Sequence, residues 1–133
     1  MATTYSTDAA GLGTTPTTKM KGAVVGGRRR RFRAVIPFAA QASGDDIVLT
    51  KVPAGHTFAY GMISATATFG ASATIAIGIA GATGKYRAAA THTATVPTLF
   101  GVPAATDDDP LTAEETILLT IAVAALPGSG SAI

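Results

Sequence analysis

From Arg31 onward apolar and polar side chains alternate with a period of two, the mark of strands with one face buried. Phe32, Ala34, Ile36 and Phe38 fall on one side of the first such segment, and Arg31, Arg33, Val35 and Pro37 on the other. Proline donates no ladder hydrogen bond, so Pro37 places this segment at a sheet edge. A turn cluster at Ala42-Ser43-Gly44-Asp45 precedes a strand over residues 47–52, and Pro53-Ala54-Gly55 breaks the chain before a strand over residues 56–63. In that strand His56, Phe58, Tyr60 and Met62 are expected to share a face. Residues 73–80 set Ile75, Ile77 and Ile79 against Thr74, Ala76, Gly78 and Ala80, whose small size lets another backbone approach closely. A turn at Gly81-Ala82-Thr83-Gly84 leads to strands over residues 85–93 and 95–100.

The segment from Leu111 to Leu126 has two readings. Thr112 and Glu115 have capping-box spacing ahead of an apolar run, and one helical turn over residues 112–115 fits that spacing. Thr116, Ile117, Thr120, Ile121 and Val123 are β-branched, which favours a strand over residues 116–125. With that strand, about seven short antiparallel strands are separated by Gly, Pro and Asp turns, the pattern of an all-β fold: a small β-sandwich or a jelly-roll-like barrel.

Composition narrows the picture. Of 133 residues, Ala, Thr and Gly supply 28, 21 and 15, and charged residues only 14%, against roughly 25% in an average soluble domain. Large aliphatic side chains are therefore few, the core is thin, and stability is expected to draw on a homo-oligomer or a larger surface. The absence of Cys excludes disulfides, thiolate nucleophiles and zinc–thiolate sites. The apolar run from Ile117 to Leu126 is about half of the roughly 20 residues that a membrane helix needs, and no secretory signal is expected, so synthesis and use in the cytosol, the cytoplasm, is the expectation.

Charge divides the chain in two. Residues 1–33 hold Lys19, Lys21, Arg28, Arg29, Arg30, Arg31 and Arg33 against the single acid Asp8, whereas residues 34–133 are net acidic by four. In the first 33 residues Leu, Ile, Val and Phe number only four, too few to offset the entropy of ordering. Residues 1–30 are thus expected to be a flexible basic N-terminal arm, and residues 31–133 the β-sandwich domain.

Catalytic constellations are sparse. His56 and His92 lack a second His at metal-ligand spacing and read as surface or interface residues. Asp107-Asp108-Asp109 lacks the alternating ligands and the glycine of a calcium loop. Gly78 to Tyr86 has five residues between Gly78 and Gly84 where a phosphate loop has four, and Tyr86 where it has Ser or Thr, so a hairpin is expected. Ser129 has no nucleophile elbow around it. No enzyme activity, cofactor, metal or small-molecule substrate is expected. What remains is Gly26-Gly27-Arg28-Arg29-Arg30-Arg31-Phe32-Arg33, whose five guanidiniums in six positions suit carboxylates or phosphates on an anionic partner. An acidic protein surface is favoured over nucleic acid, because Phe32 alone supplies the aromatic interleaving that single-strand binders use.

The stretches Asp46-Ile47-Val48-Leu49, Val52-Pro53-Ala54-Gly55-His56, Ser72 to Gly78, Gly84-Lys85-Tyr86-Arg87-Ala88-Ala89-Ala90 and Pro110 to Ile117 resemble the capsid decoration, or cement, proteins of tailed bacteriophages. The resemblance covers most of residues 30–128 and is one of texture and order. It implies a virion structural protein on the capsid surface, often a homotrimer at local three-fold sites, that clamps neighbouring major capsid proteins. Lys19, Lys21, Arg28, Arg29, Arg30, Arg31 and Arg33 would then contact the capsid. Similar proteins continue past the Pro-Gly-Ser turn into a last apolar strand, which implies a terminal sheet position left open or filled by a neighbour. The alternatives are another virion subunit (tail tube, head fibre or connector) and a basic-armed nucleic-acid-binding protein.

Overall fold

The computed structural model describes residues 30–106 and 109–133, and Phe32–Ile133 forms one compact unit. Its strands are β1 (Ile36–Pro37), β2 (Asp46–Val52), β3 (Gly61–Ile63), β4 (Thr74–Ile79), β5 (Ala82–Thr91), β6 (Thr98–Phe100), β7 (Glu115–Ala122) and β8 (Ser131–Ala132), with one 3-10 turn at Pro103–Ala105. A four-stranded antiparallel sheet runs β2-β7-β4-β5, while β1 pairs with β8 and β3 with β6. Backbone bonds join the two small pairs into a second layer. Ser64 N–H donates to Ile133 O at 2.9 Å, Ile133 N–H to Ser64 O at 2.8 Å and Thr66 N–H to Ser131 O at 2.8 Å, and Ala65 bridges Ala132. Residues 64–66 thus carry the chain from β3 alongside β8. The fold is all-β, as the strand pattern predicts, and has no closed barrel. The terminal sheet position is filled from within the chain, by residues 131–133 between β1 and residues 64–66.

Period-two patterning is what builds the core. Ile75 and Ile77 on β4 lie opposite Ile121 and Leu119 on β7, and these four with Ile117 are buried. Ile36, Ile63 and Ala132 from the second layer, together with Phe38, Phe69 and Leu126, complete one cluster. Each fully buried Ile, Leu or Phe contributes roughly 1.5–3 kcal/mol, and the Phe38 and Phe69 rings add a tilted contact at 4.9 Å. The β-branched run after residue 115 is strand through Ala122, and the strand expected to reach residue 125 stops short because Val123 turns out of it at positive φ. Residues 112–113 form only a bend, and in place of the helical turn over 112–115 Glu115 already pairs with Val52.

Several expected strands are shorter than their patterns: β1 covers only Ile36–Pro37 of the segment from Arg31, β5 ends at Thr91 and β6 covers only Thr98–Phe100 of residues 95–100, and Phe32, outside β1, is 42% exposed. Two further segments depart in other ways. Only Gly61–Ile63 of the expected strand over 56–63 is extended, and Ile63 is buried while Tyr60 and Met62 are exposed. Gly61 explains this. The ring of Phe100 lies where a side chain on residue 61 would sit, so β3 receives a partner's aromatic group on its inner side and presents Met62 outward. The hairpin over 78–86 does form, but its turn is Ala80-Gly81, with Gly81 at φ +82 and Ile79 facing Ala82. Residues 82–84 therefore belong to β5.

Beyond β7 the chain reverses at Val123, where φ is +70. Ala124 N–H donates to Ala122 O at 2.9 Å, which makes Val123 the centre of a γ-turn of the strained hand. Such a conformation costs a β-branched residue about 1–3 kcal/mol. With its side chain 74% exposed, little packing offsets that cost. Val123→Gly is expected to stabilise the fold by about 1 kcal/mol after its own chain-entropy penalty of roughly 0.5–1 kcal/mol. A higher urea midpoint at constant m-value is the readout. Among the described residues, no helix is long and apolar enough to cross a membrane.

Candidate functional site

Lys19, Lys21, Arg28 and Arg29, with the rest of residues 1–29 of the expected arm, lie outside the described residues. Arg30, Arg31 and Arg33 are exposed. Among the described residues, the ion pairs are Lys51–Glu114 at 3.8 Å and Lys85–Glu115, and neither engages these arginines. Phe32 sets its ring edge against His56 at 6.2 Å, and His56 Nδ1 lies 3.2 Å from Pro53 O. The backbone that carries Arg33 is thereby fixed beside the β2–β3 connection, with the guanidinium turned to solvent.

A second cluster arises from an irregularity in β5. Between Ile77 and Ile79 the partner strand advances from Arg87 to Ala82, so β5 contains extra residues and bulges. The bulge delivers Lys85 and Tyr86 to the start of β7. Lys85 Nζ donates to Glu115 Oε1, Tyr86 Oη donates to Glu115 Oε2 at 2.5 Å, and Lys85 Nζ stands 5.4 Å from the Tyr86 ring centre. Burial alone pushes the Glu115 carboxyl up, but hydrogen bonds from Lys85 and Tyr86 and the Lys85 charge outweigh it and hold the group below its usual range. The Tyr86 hydroxyl is driven well above its usual range by burial and then by the Glu115 carboxylate. Both carboxylate oxygens are committed to donors. The arrangement is a latch between β5 and β7.

Beside it lies a cavity of about 200 Å³ lined by Phe58, Lys85, Tyr86, Asp109, Leu111 and Glu115, among others, smaller than the roughly 300–1,000 Å³ of typical small-molecule pockets. Asp107 and Asp108 of the acidic run lie outside the described residues. No group of three or more His, Asp or Glu among the described residues could hold a metal ion.

Arg87 and His92 complete the polar interior. The Arg87 guanidinium donates to Ile75 O, to Ala90 O at 3.3 Å and to Thr91 O at 3.4 Å, which ties β4 to the end of β5. His92 is not the surface or interface residue its context suggests. It is 6% exposed, edge-on to Phe69 at 5.5 Å, and its Nε2 finds no hydrogen-bond partner among the described residues. Burial and then the nearby Arg87 charge keep its imidazole below the ordinary 6.5.

The structure therefore leaves the expected cationic residues that it describes at the surface and adds the Lys85–Tyr86–Glu115 latch, which spacing rules passed over. One signal pointed to it. Lys85 and Arg87 are the sole charged side chains between Val52 and Thr106, and charges placed in a neutral, half-buried stretch need partners. Set against protein-family models, curated proteins and solved structures, the chain matches none.

Proposed function

We propose that this chain is a virion structural subunit: a decoration, or cement, protein that binds the outer surface of a phage head and stabilises contacts between major capsid proteins. The observation that carries the reading is the separation of charge. Arg30, Arg31 and Arg33 are exposed and outside every ion pair among the described residues, whereas the interior charges Lys85 and Glu115 are matched to each other. A set of uncommitted guanidiniums leading into a compact sheet body suits an acidic protein surface, which each arginine can meet with paired hydrogen bonds. Several such segments on one oligomer gain effective concentration, and overall affinity then exceeds that of a single segment by about 10²–10⁴.

The test is co-sedimentation of the purified full chain with expanded, undecorated heads of the cognate phage. Saturable binding is expected, and deletion of residues 1–27 with Arg28, Arg29, Arg30, Arg31 and Arg33 changed to serine should abolish it while circular dichroism stays that of the folded body. Unchanged occupancy in that variant overturns the role of the arginines. Failure of the full chain to bind heads, with retention on duplex DNA at a log–log salt slope of about −4 to −5, would replace the reading with nucleic-acid binding.

A further inference from the structure

Between β5 and β6 the chain crosses from the four-stranded sheet to the second layer, and one side chain anchors that crossing. Among residues 87–106, His92 is the only buried residue. Thr91, Thr93, Thr95 and Val96 around it are exposed. Two backbone bonds tie the crossing to the segment after β3. Phe69 N–H donates to His92 O at 3.3 Å and Ala65 N–H to Thr95 O at 3.1 Å, and the first is long for such a bond. The imidazole itself sits edge-on to Phe69, which is fully buried and packs in turn on Phe38.

A neutral imidazole suits that position and an imidazolium does not, because a charge taken out of water is costly unless an opposite charge or hydrogen bonds compensate it. No Asp or Glu occurs in residues 47–106 or 116–133. The segments packed around the ring, residues 64–70, β4 and β5, therefore offer no carboxylate. The charged group that does act on it is Arg87 of β5, whose like charge opposes a second one and whose guanidinium is held by Ile75 O, Ala90 O and Thr91 O. The other titratable side chains of residues 52–106 are placed elsewhere. His56 meets Phe32 and Pro53 O, Lys85 and Tyr86 bond to Glu115, and Tyr60 is exposed. An apolar residue would anchor the crossing at every pH. A histidine anchors it only while uncharged, and its charge changes within the physiological range.

We propose that His92 is an acid-released anchor: on taking up a proton its ring leaves the core, and residues 91–97 lift away from residues 64–69 while the four-stranded sheet stays folded. The release ends at β6, where the ring of Phe100 stays seated on Gly61. Its product is a folded body with an opened joint between the layers and with Phe69 accessible to water. Local opening of this kind is the low-energy end of a protein's stability range. The device goes beyond the proposed function and does not rest on it.

Amide hydrogen exchange of the full chain at about pH 7.5 and about pH 5.5, corrected for the chemical exchange rate at each pH, tests it. The open form takes up a proton as an ordinary histidine does and the closed form resists it, so opening is expected to rise about ten-fold between the two conditions. The N–H groups of Ala65 and Phe69, whose acceptors lie on the crossing, should lose protection by about that factor. The loss should depend little on urea below the transition, because local opening exposes little surface. Amides in β4 and β7 should stay better protected and keep the steep urea dependence of global unfolding. His92→Phe keeps a ring against Phe69 and takes up no proton, so it should abolish the pH effect. His92→Gln makes the same comparison if the phenylalanine variant loses the wild-type circular dichroism. His56→Phe is the control and should leave the effect intact. Four results overturn the proposal: equal protection of Ala65 and Phe69 in both conditions, an effect that survives the loss of His92, loss of the effect in the control, or a urea dependence at these two amides equal to that of β4 and β7, which would make the release global unfolding.

Discussion

Gly78→Ala is expected to be among the most damaging single-methyl additions in the protein, costing about 3 kcal/mol or more. Residue 78 lies on β4 opposite Leu118 of β7, and a Cβ there would fall within 2.5 Å of Thr83 O and closer still to Ala82 O. Both are backbone atoms, held in place by the tight Ala80-Gly81 turn, so no side-chain rotation can relieve the clash. Overpacking of a core ordinarily costs about 1–3 kcal/mol where side chains can adjust. Here the opening of β5 has to move, and with it Lys85 and Tyr86, which weakens the latch to Glu115 as well. The urea midpoint should fall steeply in Gly78→Ala while Gly128→Ala, where nothing lies within 4 Å of the added carbon, stays within about 0.5 kcal/mol of wild type. Equal midpoints for the two variants would contradict the packing described.

The contrast between β4 and β5 shows what could be read from the sequence. Ile75, Ile77, Ile117, Leu119 and Ile121 announce their inward faces because a strand's side chains alternate strictly, and the small residues between the β4 isoleucines announce a close backbone. Where both sides of a pair keep step, as between β4 and β7, pattern and structure coincide. β5 breaks step twice against β4, and no periodicity in residues 82–91 records a bulge, because Arg87 bonds there to carbonyls of β4 and β5 that come together only in three dimensions. The same limit hid the inner side of β3. Alternation through Phe58, Tyr60 and Met62 looked coherent, but Gly61 accepts the ring of Phe100 from a strand 39 positions away in the chain. Of the polar residues, the arginine run was legible as a charge block. The latch was not, because Lys85 and Glu115 are 30 residues apart and meet through the bulge.

Loss of Glu115 should be comparably severe and carries a pH signature of its own. Its carboxylate accepts from both Lys85 Nζ and Tyr86 Oη, and its side chain is only 16% exposed. Removing one partner of a buried charge pair costs roughly 3–5 kcal/mol. The lower end applies here, since the Lys85 side chain is 31% exposed and can turn to water. Glu115→Ala is therefore expected to cost about 3 kcal/mol and to lower the melting temperature by about 10–20 °C for a body of this size. Tyr86→Phe should cost about 1.5–3 kcal/mol, the range for a hydrogen bond to a charged group, and its effect should largely vanish in the Glu115→Ala background.

Acid should reproduce part of the loss in the wild type. His92 is held below 6.5 in the folded chain, so as pH falls through 6.5 the unfolded chain takes up that proton first and stability begins to decline. Glu115 is held below 4.5; its contribution is complete above 4.5 and is lost as pH falls through its lower folded value. At the other extreme Tyr86 is raised above 10.0, so stability falls again as pH climbs past 10, where only the unfolded tyrosine ionises. Urea midpoints measured across this range should give a plateau with an acid decline in two stages. His92→Phe should flatten the first stage and Glu115→Ala the second. An acid limb identical in all three proteins would mean that the pH response of the fold arises from neither site.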